Sequence, residues 1–232
     1  MSENWLLIET SGRLGKVGLA RADVVVRATE LDAARRHARD LAGAVGAMLE
    51  AEGLRPADLT GVMVSTGPGS YTGLRVGVMS AKALAYATGC RLVAVPTFAA
   101  IVLQAPAAAQ HVWVIADALQ GHIYIQQFTR GAGPTEWAAR TELTIGLADE
   151  WLNGAGKDVW MTGPGVAVYA DRNIPQDCPL VPEAGREPTV ASLFRAGRGL
   201  GPVSREELFR LEPLYLRGSS AEENAKKAVP RG

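Results

Sequence analysis

Apolar residues fall into two periodicities along the chain. Short runs at residues 5–10, 16–20, 24–26, 61–66, 91–95, 111–117 and 158–162 carry the length and alternation of buried strands, as where Val62 and Val64 flank Met63. Longer stretches repeat at three and four residues. Across residues 33–52, Leu41, Val45, Met48 and Leu49 make one stripe, and across 73–88 Leu74, Val78, Ala81 and Leu84 make another, so both predict helices. Further helices are expected at 96–104, where Pro96 stands at the first turn, at a short segment ending near 152, and at 189–199. Strands alternating with helices give an α/β class.

The alanine and proline run at 105–109 reads as a hinge between a first lobe, residues 1–105, and a second, 106–232. Four prolines between 175 and 188 mark an irregular segment, and 219–227 form a polar tail expected to be mobile.

The chain is organised around Gly67-Pro68-Gly69-Ser70-Tyr71-Thr72-Gly73-Leu74-Arg75-Val76-Gly77, which joins a strand to a helix. Such a loop can aim backbone amides and a helix N-terminus at an anion, with Ser70 or Thr72 as cap. It lacks the lysine of a P-loop, and its glycine spacing is one residue too long for a dinucleotide fingerprint. The plainer alternative is that its glycines let the helix pack close to a neighbouring backbone.

That eleven-residue block resembles the signature of the TsaB (YeaZ) family, the non-catalytic partner in bacterial threonylcarbamoyladenosine (t6A) synthesis on tRNA. Asp117-Ala118-Leu119-Gln120-Gly121-His122-Ile123-Tyr124 resembles the family's Asp-Ala-Arg-x-Gly-Glu-Val-Tyr, and Pro213-Leu214-Tyr215-Leu216-Arg217 its C-terminal Pro-x-Tyr-Leu-Arg. The resemblance implies an actin/Hsp70/sugar-kinase-like (ASKHA) fold, duplicated in two lobes with the second reduced. It also implies a vestigial phosphate site at Glu9, Thr10, Ser11, Gly67, Gly69, Ser70, Thr72, Gly73 and Asp117. In the superfold the acid at position 9 is usually Asp, and Glu9 sets its carboxylate one methylene further out. The changes to Leu119 and His122 remove the ion pair that Arg and Glu would form there.

The same resemblance implies that the two helices of the first lobe pair with the transferase subunit, or with a second copy when that partner is absent. Leu41, Val45, Met48, Leu49, Leu74, Val78 and Ala81 are the candidates for that face, and Val45→Glu or Val78→Glu is expected to leave a folded monomer that no longer binds.

Charge and composition narrow the chemistry. Lys plus Arg and Asp plus Glu number 24 each, so no overall positive field draws the chain onto nucleic acid, and tRNA would be gripped by a complex rather than by this subunit. Aromatic residues, 6% of the chain, are not interleaved with basic clusters as a single-strand binder requires. Cys90 and Cys178 fit neither a disulfide framework nor a zinc spacing, Cys90 reads as a small buried residue, and an acidic N-terminus predicts no signal peptide; a cytoplasmic protein without a membrane span is expected.

His37, His111 and His122 are scattered. The family's catalytic relatives pair two helical histidines four residues apart on a metal, and position 41 is leucine. No metal, no cofactor and no catalytic residue is therefore expected.

Three functions compete. The first is a scaffold for a TsaD-type transferase with a TsaE-type ATPase, serving threonylcarbamoyl transfer to N6 of adenosine 37 in tRNAs that read codons beginning with A. The second is a small-molecule kinase or ATPase using Glu9, Asp117 and the glycine loop. The third is a peptidase, which the missing histidine pair disfavours.

Overall fold

A computed structural model describes residues 3–31, 38–133, 135–156, 159–171 and 174–216. The first sheet has five strands in the order β3-β2-β1-β4-β5, made of β1 (Asn4–Glu9), β2 (Lys16–Arg21), β3 (Val24–Glu30), β4 (Gly61–Ser65) and β5 (Arg91–Val95). β1 pairs antiparallel with β2 and parallel with β4, so it is the central strand. Its run Trp5-Leu6-Leu7-Ile8 is buried on both faces, which is why hydrophobic residues follow one another there without alternation.

Two helices cover one face. α1 (Ala38–Ala51) and α2 (Tyr71–Thr88) bury Leu41, Met48, Leu49, Val78 and Ala81 with Leu6, Ile8, Val17 and Leu19, and Leu74 is buried beside Gly67. α1 was expected from residue 33, and the part of that span at 33–37 lies outside the described residues. α2 begins two residues before its expected start at 73 because the Ser70 hydroxyl caps the amide of Gly73, and it ends at Thr88, capped by Gly89 in the left-handed conformation (φ 73°).

The opposite face is covered from the far end of the chain. α6 (Val190–Gly197) places Val190, Leu193 and Phe194 against Trp5, Leu7, Met63, Val93 and Val95. A capping box between Thr189 and Ser192 starts this helix.

The chain then continues along the first sheet. Val203 donates its amide to Leu92, α7 (Arg205–Arg210) buries Leu208 in the α1/α2 core, and the Leu214 amide donates to Thr66. The sequence boundary that assigned everything after 105 to a second lobe is thus corrected: residues 190–214 pack with the first sheet, whose second face would otherwise stand open to water.

The second sheet runs β10-β6-β7-β8, with β9 also on β7. It is built from β6 (His111–Asp117), β7 (His122–Arg130), β8 (Trp137–Ala139), β9 (Thr144–Leu147) and β10 (Trp160–Thr162). β6 pairs antiparallel with β7 and parallel with β10, which repeats the arrangement of β1 with β2 and β4. α4 (Ala148–Gly154) and α5 (Gly165–Tyr169) bury Leu152, Val166 and Tyr169 against Ile115, Ile123 and Ile125. α3 (Thr97–Val102) joins Phe98, Ile101 and Val102 to Val112, Val114 and Phe128 of this sheet while also packing on α6.

The expected hinge at 105–109 is clamped. Arg130 donates to the carbonyls of Ala105, Pro106 and Ala109 with its guanidinium 4.2 Å from the Trp137 ring centroid. Among the described residues no helix is long and apolar enough to cross a membrane.

Candidate functional site

The glycine loop grows directly from the end of β4, and several of its backbone amides are bonded within the chain. The Gly67 amide donates to the Thr97 hydroxyl at 3.1 Å, and the Thr97 amide donates back to the Gly67 carbonyl at 2.8 Å, tying the loop to the start of α3. Gly67 itself has φ 116°, a backbone that favours glycine.

The remaining glycines face the turn after β1. A Cβ on Gly69 would crowd the Ser11 backbone, one on Gly73 would overlap the Thr10 carbonyl oxygen, and one on Gly77 would overlap the Thr10 hydroxyl. Ser70 donates its amide to the Ser11 carbonyl at 2.8 Å. Close packing of α2 on the end of β1 is therefore what this glycine spacing does, and the amides of Gly67, Ser70 and Gly73 already have acceptors inside the chain. Thr72 stands exposed in the first turn of α2.

The two candidate carboxylates sit at the ends of equivalent strands in different sheets, each held by its own partners. Glu9 closes β1 at 1% exposure. Its Oε1 accepts from the amide of Ser11 at 2.7 Å and from the Ser11 hydroxyl, while Oε2 has no hydrogen-bond partner. Burial pushes this carboxyl above its ordinary value, and the bonds from Ser11 offset that only in part. Asp117 closes β6, and its Oδ1 accepts from the Leu119 amide at 2.9 Å and the Tyr169 hydroxyl at 3.0 Å. Both acids thus serve local turns: Glu9 binds the turn into β2 and Asp117 the turn into β7.

The seven apolar positions assigned to a partner require a correction. Leu41, Met48, Leu49, Leu74, Val78 and Ala81 lie in the chain's own core, each exposed by 4% or less, and Val45 is half-buried against the same cluster. They attach α1 and α2 to the sheet, because the stripe with the most regular spacing on a helix over a sheet is the one that faces the sheet. Val78→Glu would bury a charge and unfold the lobe, so it does not test partner binding.

The outward face is made of other residues. On α2 it runs Thr72, Arg75, Met79, Ala83 and Tyr86, with Met79 60% and Tyr86 64% exposed. On α1, which packs beside α2, it runs Ala42, Gly43, Gly46 and Ala47. Phe209 of α7, also 63% exposed, stands edge-on to Tyr86 at 5.8 Å between ring centroids. Lys82 fixes α7 there by donating to the carbonyls of Phe209 and Leu211 at 3.0 and 2.9 Å. Sequence reasoning missed Met79 and Tyr86 although they follow the same helical period, offset by half a turn from the core stripe. Phe209 had no local signal, since it reaches α2 only through the return of the chain.

Of the three histidines, His111 Nδ1 lies 3.0 Å from the Thr129 hydroxyl and His122 Nδ1 3.1 Å from the Gln120 carbonyl, while His37 falls outside the described residues. Cys90, expected to be buried, is half-buried, and burial raises its thiol above the ordinary value. Among the described residues no group of three or more His, Cys, Asp or Glu side chains is placed to hold a metal ion.

Residues 31–149, just over half of the chain, match the family model described as TsaD, tRNA N6-adenosine threonylcarbamoyltransferase. The chain is 30% identical over 147 residues to the tRNA threonylcarbamoyladenosine biosynthesis protein TsaB of Bacillus subtilis (strain 168), covering 63% of each protein. It is 49% identical over 63 residues to the tRNA N6-adenosine threonylcarbamoyltransferase of Paracoccus denitrificans (strain Pd 1222), covering 27% of this chain and 18% of that one. It therefore spans less than two thirds of the length of these relatives.

Among solved structures, YeaZ from Pseudomonas aeruginosa superimposes with a TM-score of 0.74 at 21% identity, covering 92% of this chain and all of the other. A second Pseudomonas aeruginosa structure, described as similar to the peptidase YEAZ, gives 0.76 at 20% identity over 93% of this chain. The fold is the α/β architecture of YeaZ, of the actin-like ASKHA class. By the match across residues 31–149 the chain belongs to the TsaD family of tRNA N6-adenosine threonylcarbamoyltransferase proteins, and within it is TsaB/YeaZ-like.

Proposed function

We propose that this chain is a non-catalytic, cytoplasmic subunit of the machinery that makes N6-threonylcarbamoyladenosine at position 37 of tRNAs reading codons that begin with A. It pairs with a TsaD-type transferase, which carries the reaction, in an assembly that includes a TsaE-type ATPase. tRNA is held by the assembly, in keeping with a formal net charge of zero on this subunit.

The observation that carries the reading is the outward face of α1 and α2. Met79 and Tyr86 are large apolar side chains held in water on a well-anchored helix, beside the small residues Ala42, Gly43, Gly46 and Ala47, which let another helix approach closely. The similarity to a TsaB biosynthesis protein and to transferase sequences supports an actin-like partner for this face. In the absence of that partner the same face pairs two copies of the chain.

Met79→Glu and Tyr86→Glu test the assignment, because both side chains are more than half exposed and their replacement leaves the core intact. Gel filtration with the transferase is expected to show the complex for the natural chain and free subunits for both variants, each with an unaltered melting temperature. Complex formation by both variants at the natural chain's affinity would overturn the assignment.

A further inference from the structure

At the end of the first sheet opposite the Glu9 turn, a cavity of about 260 Å³ opens between the strand starts and the C-terminal end of α6. Trp5, Met63, Val93 and Phe194, each 7% exposed or less, make its floor and walls. Gly197 of α6 passes directly over Met63, where a side chain would overlap the sulfur. The rim is charged in both signs. Arg91 pairs with Glu3, and Arg198 pairs with Asp23 at 2.8 Å.

Neither guanidinium owes its position to its carboxylate alone. Arg91 lies 4.8 Å from the Trp5 ring centroid and Arg198 lies 5.9 Å from that of Phe194, so each cation rests on an aromatic wall of the cavity. Both pairs are about half exposed, at 45% and 53% for the Arg91 and Glu3 side chains and 52% and 70% for Arg198 and Asp23, and Glu3 also accepts from the Trp5 indole N–H at 3.2 Å, which leaves Asp23 the least held of the four. Exposed ion pairs of this kind hold weakly and exchange partners readily.

We propose that this cavity binds a free α-amino acid with an apolar side chain. The ligand's carboxylate takes the guanidinium edge, its ammonium takes Glu3 and Asp23, and its side chain covers the floor of Trp5, Met63, Val93 and Phe194. A ligand with one charge would displace one member of an ion pair and leave the other unmatched, whereas a zwitterion satisfies both. At about 260 Å³ the cavity is larger than the roughly 150 Å³ cavity that takes up benzene, so it has room for a ligand the size of leucine or methionine. The site is independent of the α1/α2 face and does not rest on the function proposed for it.

Calorimetric titration of the full chain with L-leucine and L-methionine tests the proposal, with 4-methylpentanoate and 3-methylbutylamine as analogues that each carry one of the two charges. Saturable one-site binding is expected for the amino acids, with the two analogues and glycine at least tenfold weaker. Arg91→Gln, Arg198→Gln and Asp23→Asn, all at exposed side chains, are each expected to weaken leucine binding about tenfold without lowering the melting temperature. Absence of saturation up to about ten millimolar, or equal binding of either analogue, or binding that survives all three substitutions, would overturn it.

Discussion

Gly77→Ala probes how α2 is seated on the end of β1. In the natural chain the new methyl group would overlap the Thr10 hydroxyl and touch Ile8 Cγ2 at 3.4 Å. Overpacking of this kind costs about 1–3 kcal/mol. Alanine in a helix interior returns about 1 kcal/mol over glycine, so the net change lies between about zero and 2 kcal/mol of destabilisation.

The obstructing atom can be removed. The Thr10 hydroxyl is buried and has no hydrogen-bond partner, so Thr10→Ala relieves an unsatisfied group while giving up a methyl worth about 0.8 kcal/mol. In that background Gly77→Ala should stabilise by about 1 kcal/mol, through helix propensity alone. The coupling between the two sites is then about 1–3 kcal/mol, read from the urea midpoints of the four proteins at constant m. Equal effects of Gly77→Ala in both backgrounds, within about 0.5 kcal/mol, would refute the claim that this glycine exists to admit Thr10.

Because burial raises the Glu9 carboxyl above its ordinary 4.5, the native state holds that proton more tightly than the unfolded chain, so stability is greatest below the ordinary value and falls as pH rises toward the raised one. Glu9→Gln should abolish that fall in melting temperature between pH 4 and 8, and parallel curves for the two proteins would contradict the assignment. Leu119 and Gln120 hold φ of 63° and 50° in the turn between β6 and β7, so Leu119→Asn with Gln120→Gly should stabilise by about 1 kcal/mol in urea denaturation; a destabilised double variant would count against strain there. Leu193→Ala should cost about 2–5 kcal/mol, since Leu193 is fully buried against the first sheet; a cost under about 1 kcal/mol would mean that α6 is not part of that core.

The strands of the first sheet and α2 were legible because their signals are local. Trp5 to Ile8 has no polar interruption, and Ser70 and Gly89 bracket α2 with standard cap chemistry. The repeat of a strand, an acid, a turn and a strand at Glu9 and at Asp117 likewise lies in consecutive residues. What escaped was non-local. Nothing near Val190, Leu193 and Phe194 says that they cover Trp5 and Met63, some 130 residues or more earlier, and hence that the chain returns from the second sheet to the first. The same blindness inverted the candidate interface: helical periodicity identified both helices, but a stripe of Leu41, Met48, Val78 and Ala81 is what a sheet needs from the helices above it. The exposed apolar surface proposed for a partner is the weaker, offset stripe of Met79 and Tyr86, completed by Phe209 from the far end of the chain.

The proposed role has this chain enable a partner's chemistry and perform none alone. Reconstitution with unmodified tRNA, threonine, bicarbonate and ATP, together with the transferase, the ATPase subunit and the carbamoyl-adenylate synthase, tests it by counting threonylcarbamoyladenosine with the chain present, absent or bearing Tyr86→Glu. Modification is expected only with the natural chain, and the chain by itself should turn over no ATP. Full modification without it, or ATP turnover by the isolated chain that Asp117→Asn abolishes, would contradict the account.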